Sequence, residues 1–156
     1  MTQTAVALSQ DARAAVAEAL NQAVAETAIT TMLAQNFHWN VTGMAFGPLH
    51  DLFQKIYEDH FVAQDDLAER IKALNAHAEG TLAGMIARSK VAEHDGHASA
   101  EEMIKVMQEA QETLAATLAG AGALAASHGD TLTEDLCIAR GQEHEKFAWF
   151  LRSHLA

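Results

Sequence analysis

The chain has 156 residues, 49% of them apolar, with one proline and 6% aromatic residues. That length supports one domain with a full hydrophobic core, and an alanine-rich composition with scarce runs of β-branched residues excludes a β-rich or disordered chain. A formal charge of -11, from 21 acids against 10 bases, disfavours unassisted binding to nucleic acid or anionic lipid and suits cationic partners, metal ions included.

The first ten residues read as a short flexible tail and residues 11–156 as one domain. The N-terminal segment has no basic stretch and too short an apolar run for a secretory signal, and no apolar run approaches the length needed to span a membrane, so a cytoplasmic protein is expected. Ala and Leu recur at helical spacing from about Asp11 to His38, which predicts a first long helix ending near Asn40. Asn40-Val-Thr-Gly43 and Gly47-Pro48 mark a loop, and Pro48 at a first helical position opens a second helix to about His77. Residues 79–98 form a crossover of about twenty residues with a short helical patch around Met85 to Ser89. Ser99-Ala-Glu-Glu102 caps a third long helix that fades from Gly120 to Gly129. Thr131 or Thr133 caps the last, which runs nearly to Ala156. Four long helices joined by short, long and short connections match an all-α, ferritin-like four-helix bundle with one long crossover containing a short helix. The lone Cys137, between Leu136 and Ile138, reads as a buried small side chain.

None of the nine histidines has an acid three residues before it, so the Glu-x-x-His pattern of a dimetal site inside one bundle is missing. The second helix instead carries its ligand types outside. Its inward stripe is Leu49, Phe53, Ile56, His60, Ala63, Leu67, Ile71 and Leu74, and Asp65 and Glu69 share the opposite face, one turn apart, with Glu58, Phe61 and Val62. His60 on the stripe reads as a hydrogen-bonded core histidine, His94 and His97 as exposed loop residues, and the remaining histidines at helix ends or charged faces carry no assignment.

His50 precedes Asp65 by fifteen residues, about 22 Å along a helix axis, too far for one ion. Two copies of this helix packed antiparallel about a two-fold axis bring His50 of one beside Asp65 and Glu69 of the other. His38 joins from the same copy as His50, giving two imidazoles and two carboxylates, a set suited to iron or zinc and weighted by its carboxylates towards iron. On spacing alone, an acidic pair on a solvated face and histidines that cap helix ends stay open beside this reading.

Phe37-His-Trp-Asn-Val-Thr-Gly43, Leu49-His-Asp-Leu-Phe53 and Asp65-Asp-Leu-Ala-Glu-Arg-Ile71 resemble the Dps family of mini-ferritins, as does the ending His144-Glu-Lys-Phe-Ala-Trp-Phe150. The resemblance covers about residues 10–155. It implies a hollow homododecamer that oxidises Fe(II), preferably with hydrogen peroxide, stores ferric mineral and so protects DNA. His38 and His50 of one subunit and Asp65 and Glu69 of its neighbour would form the ferroxidase site, with Trp39 beside it. Where the family commonly has a further Asp, sixteen residues after the first His, this chain has Gln54, a neutral and poorer ligand; Asp51, one turn earlier, is acidic. Asp130, Glu134 and Asp135 would line a pore through which iron enters, or cap the last helix. The alternative is a nucleoid-associated protein whose main task is compacting DNA. Family members that bind DNA directly tend to use a lysine-rich tail, and residues 1–12 hold no Lys or Arg. A dodecamer would carry a formal charge of about -130, which repels phosphate unless divalent ions bridge the two.

Overall fold

The structure, a computed structural model, describes residues 4, 5 and 7–156; part of the expected tail, residues 1–3 and 6, lies outside the described residues. Five helices follow in order: α1 (Gln10–Asn40), α2 (Phe46–Ala73), α3 (Leu82–Arg88), α4 (Ala100–Ser127) and α5 (Thr131–Ser153). The described residues contain no strand, and none of their helices is long and apolar enough to cross a membrane. Helices α1 and α2 pack as one hairpin and α4 and α5 as another, with α1 against α4 joining the two. The long crossover carries α3, which packs on α1.

Local chemistry sets the helix ends. Ser9 caps α1 by accepting the N–H of Ala12 at 3.1 Å, and Leu8 before it is already buried in the core. The chain leaves α1 in an extended conformation at Val41 and turns at Gly43, whose φ of +103° only glycine adopts freely. Helix α2 begins two residues before Pro48, which still falls in the first turn where no N–H is needed. It stops four residues short of His77 because Asn75 takes a left-handed conformation (φ 60°). Ala76 then donates back to Ile71 and Asn75 to Lys72, closing the last turn on itself. The short helix α3 begins three residues earlier than its sequence suggests, capped by Thr81.

The expected fading of α4 from Gly120 does not occur. The helix runs on to Ser127 because Gly122 lets α5 approach closely: a Cβ there would lie 3.1 Å from that of Cys137. Packing thus outweighs the weak helical propensity of glycine. Its end is again a left-handed residue, Gly129 (φ 77°), with Asp130 donating to Ala125 and Gly129 to Ala126. The cap of α5 is Asp130 rather than Thr131 or Thr133. Its carboxylate accepts from the backbone N–H of Thr133 at 3.2 Å and from the Thr133 hydroxyl at 2.5 Å.

All eight residues of the α2 stripe are buried, so the three-and-four spacing names the core face correctly. The core itself is split in two. One apolar cluster gathers Leu20, Leu67, Ile71, Leu118 and Cys137; the other gathers Phe37, Phe53, Ile56, Met107 and Phe147. Between them along the sequence of α2, α4 and α5 sit His60, Gln111 and His144, each fully buried. Gln111 bridges the two histidines, with its amide nitrogen 3.0 Å from Nε2 of His60 and its oxygen 2.7 Å from Nδ1 of His144. Asp59 receives two hydrogen bonds from Arg140, at 3.1 and 2.6 Å, and one from Nδ1 of His60 at 3.0 Å.

Burial alone would raise the Asp59 carboxyl, but the hydrogen bonds from His60 and Arg140 outweigh it and hold the group well below its ordinary range. Burial pushes His144 down to about 2, helped by the nearby charges of His60 and Arg140, and lowers His60 despite its bond to Asp59. His60 is therefore the core histidine expected. His144, assigned to a helix end or charged face, is instead part of the interior.

A second polar tie joins the C-terminal end of α2 to the start of α5. Arg70 donates to Asp130 at 2.9 Å and to the Thr133 hydroxyl at 2.8 Å, and Asp130 is wholly buried. Arg70→Leu leaves that carboxylate buried without its cation and is expected to lower stability by about 3 kcal/mol. The check is the denaturation midpoint, and an unchanged midpoint contradicts the clamp.

Candidate metal centre

The end of α1 and the start of α2 lie side by side because the 41–45 loop turns tightly, and this sets His38 against His50. Their rings stack with centroids 3.7 Å apart and planes at 17°. Each ring is tied to the other residue's backbone: His38 Nδ1 lies 2.7 Å from the carbonyl of His50, and His50 Nδ1 lies 2.7 Å from the carbonyl of His38. A carbonyl oxygen only accepts, so both Nδ1 atoms carry hydrogen. In the neutral rings both Nε2 atoms are then lone pairs, and neither has a hydrogen-bond partner among the described residues. Fixing the far nitrogen of an imidazole in this way prepares the near one for a metal. Tyr57 packs its ring edgewise on His38 at 5.3 Å and Phe46 stacks on His50 at 5.0 Å, walling the pair with aromatic groups.

Asp65 and Glu69 are exposed on the outer face of α2, as their spacing predicts. Phe61 and Val62 lie beside them, 72% and 59% exposed, which is unusual for apolar side chains on an acidic helix face. Among the described residues, no three His, Cys, Asp or Glu side chains of one chain come together to hold a metal. The structure thus pairs His38 with His50 and leaves the two carboxylates apart from them. Gln54 donates to Glu58 at 2.8 Å, and Asp51 is exposed.

Trp39 follows His38 at the end of α1. It is 62% exposed and lines an apolar groove of about 570 Å³ together with Met32, Leu82 and Ile86. Of the acids at the start of α5, Asp130 is consumed by its cap and by Arg70, whereas Glu134 is half-buried and Asp135 exposed. His94 is half-buried rather than exposed, because its ring packs on Phe37 and its Nδ1 accepts from Gly96, while His97 is exposed. Cys137 is buried, and burial pushes its thiol up to about 11, so it is inert at neutral pH.

The sequence pattern of the ferritin-like domain family matches residues 17–156. General stress protein 20U of Bacillus subtilis is 33% identical over 88% of this chain and 95% of its own. DNA protection during starvation protein 2 of Bacillus anthracis is 31% identical over 90% and 96%. Among solved structures, Dps from Vibrio cholerae, described as one of the ferritin-like diiron-carboxylate proteins, superposes with a TM-score of 0.93 at 28% identity, over 100% of this chain and 98% of that one. Dps from Staphylococcus aureus superposes at 0.89 with 32% identity, over 96% and 99%.

The reciprocal tie makes a claim about protons. Neutron diffraction from deuterated crystals of the metal-free protein is expected to place a deuteron on Nδ1 of both His38 and His50. Deuterons on Nε2 alone would contradict the geometry.

Proposed function

The chain belongs to the Dps family of ferritin-like proteins, and on that premise we propose that it is an Fe(II)-oxidising, iron-storing protein whose site forms between two copies. The observation that carries the reading is the His38–His50 pair, whose two free imidazole nitrogens sit at one end of a helix face with Asp65 and Glu69 at the other. One chain cannot close that distance; an antiparallel α2–α2 contact about a two-fold axis can. In that register, residues whose numbers sum to about 115–119 lie opposite one another, taking His50 against Asp65 and Glu69. Phe61 and Val62 then face positions near Gln54 to Glu58 of the partner subunit, which gives their exposed apolar surface a partner. Residues 11–156 act as one ferritin-like domain, assembled in the cytoplasm as a hollow homododecamer.

The substrates are Fe(II) and hydrogen peroxide. His38 and His50 of one subunit and Asp65 and Glu69 of the partner subunit hold the iron, and the two carboxylates neutralise its charge. Each peroxide takes one electron from each of two Fe(II) and two protons, leaving two Fe(III) and two waters. No hydroxyl radical is released when both electrons come from iron, and that is how DNA would be protected. Glu134 and Asp135, rather than the engaged Asp130, supply negative charge where iron would pass inward. The same donor set takes zinc, so zinc is a competitor for the site.

The test is an anaerobic Fe(II) titration of the assembly, expected near 200 kDa for twelve copies of 16.8 kDa, followed by a peroxide pulse. Ferric absorbance is expected to saturate before mineral grows, and added Zn(II) to suppress that phase. Asp65→Ala is expected to slow it about tenfold or more with the assembled mass unchanged; oxidation at the parent rate would remove Asp65 from the site.

DNA compaction as the main task would need a surface that attracts phosphate, and a formal charge of -11 per chain opposes it. In a gel shift at low salt, DNA is expected to stay free without Mg2+. Retardation without it would favour the DNA-coating role.

A further inference from the structure

The hydrogen bonds inside the bundle form a closed circuit with one sense. Asp59 only accepts, so His60 donates to it from Nδ1 (3.0 Å) and keeps a lone pair on Nε2. The amide nitrogen of Gln111 donates to that lone pair at 3.0 Å, which turns the amide oxygen towards His144. His144 donates to the oxygen from Nδ1 at 2.7 Å and keeps its own lone pair on Nε2. Nη2 of Arg140 lies 3.5 Å from that lone pair, the longest link, and the same guanidinium donates twice to Asp59. The circuit spans α2, α4 and α5 and is complete only with Asp59 ionised and both histidines neutral.

An added proton meets no unoccupied acceptor. On Nε2 of His144 it would aim an N–H at the guanidinium N–H groups. On Nε2 of His60 it would face the amide NH2 of Gln111 at 3.0 Å, and the amide oxygen, 3.2 Å away, is already held by the N–H of His144 at 2.7 Å. Either way two donors face each other where water is excluded, since His60, Gln111 and His144 are fully buried.

We propose that this circuit is a proton-operated latch: protons taken up by His60 and His144 release α2 from α4 and α5, and with it the outer face that carries His50, Asp65 and Glu69. The groups facing the two histidines are Asp59 from α2, Gln111 from α4, and Arg140 and the ring of Phe147 from α5. Among the described residues, α1 and α3 make no hydrogen bond to either. Both histidines have folded pKa values below their unfolded value of about 6.5. Below that pH the unfolded or opened chain binds more protons, so the latch's contribution is present above about pH 6.5 and lost as pH falls. Asp59, also lowered, adds its own loss only below about pH 4. The latch stands on the circuit alone and not on the iron reading, so its test uses metal-free protein.

The test is backbone hydrogen exchange by mass spectrometry at pH 7.5 and pH 5, corrected for intrinsic exchange. Protection around His60 in α2 and His144 in α5 is expected to fall about tenfold or more at the lower pH, with α1 retaining more of its own. Gln111→Glu offers an oxygen to each histidine, so the circuit closes with His60 charged and protection at pH 5 is retained. His144→Asn keeps the donor to Gln111 but cannot take a proton, and the pH-dependent loss is expected to shrink. His97→Asn, an exposed loop change, is expected to behave as the parent. Equal protection at both pH values in the parent would overturn the latch. So would a uniform loss in every helix that neither Gln111→Glu nor His144→Asn alters. If His144→Asn does not fold, the parent and Gln111→Glu decide the matter.

Discussion

A straight helix cannot fold its two ends together, and that constraint governs this protein. Helix α2 is 28 residues long, about 42 Å, and its outer face holds an imidazole near one end and two carboxylates well along it. The inward face is fixed in the bundle core, so the helix is not free to bend and bring them together. The histidine pair at the α1–α2 corner is pre-set, its Nδ1 atoms bound to backbone, yet it offers only half a coordination shell. On the proposed pairing, assembly and site formation are one event: the apolar groups beside the acids are covered by the contact that brings the acids to the imidazoles.

The bundle's polar interior follows from the same demand on α2. A purely apolar core would allow the α4–α5 hairpin to slide along the α1–α2 hairpin, because aliphatic contacts specify volume better than register. Two polar ties remove that freedom. Asp59 and His60 engage Gln111, Arg140 and His144 at mid-length, and Arg70 engages Asp130 and Thr133 near the end. Each tie needs its partner at one particular turn of α5, and the two are eleven residues apart on α2. Register is thereby set at two points, which determines where the outer face points. The cost is a core divided into two apolar clusters with ionisable groups between them.

Periodicity made the inner face of α2 legible, since His60 interrupts the stripe chemically but not in spacing. The outer face was legible by elimination, with Asp65 and Glu69 about 200° off the stripe. The capping box at Ser99 was equally plain, because the cap is a local contact with Glu102. What escaped the sequence depends on residues far apart in the chain. His144 stands among Glu143, Glu145 and Lys146 and looks solvated; it is buried because Gln111, 33 residues earlier, meets it. Helix α4 survives two glycines because Cys137 of α5 presses against one of them. The histidine tie escaped because its acceptors are backbone carbonyls, which every residue has and no motif marks.

On the proposed site, Gln54 bears on how many irons can be held, through charge. Two carboxylates around one Fe(II) give a neutral unit, and a second Fe(II) beside it needs a further anionic oxygen to avoid placing two doubly positive ions together. An Asp at this position would supply it. The amide of Gln54 does not, and it already donates to Glu58 at 2.8 Å, so the carboxylate that could compensate is held one turn further from His50. Asp51 lies one turn before Gln54 and is exposed. On the proposed site the second iron is then the more weakly held of the two, through charge rather than space. A partner carboxylate shared between two ions would have to bear the difference, which places the burden on Glu69, the longer and more reaching of the two acids.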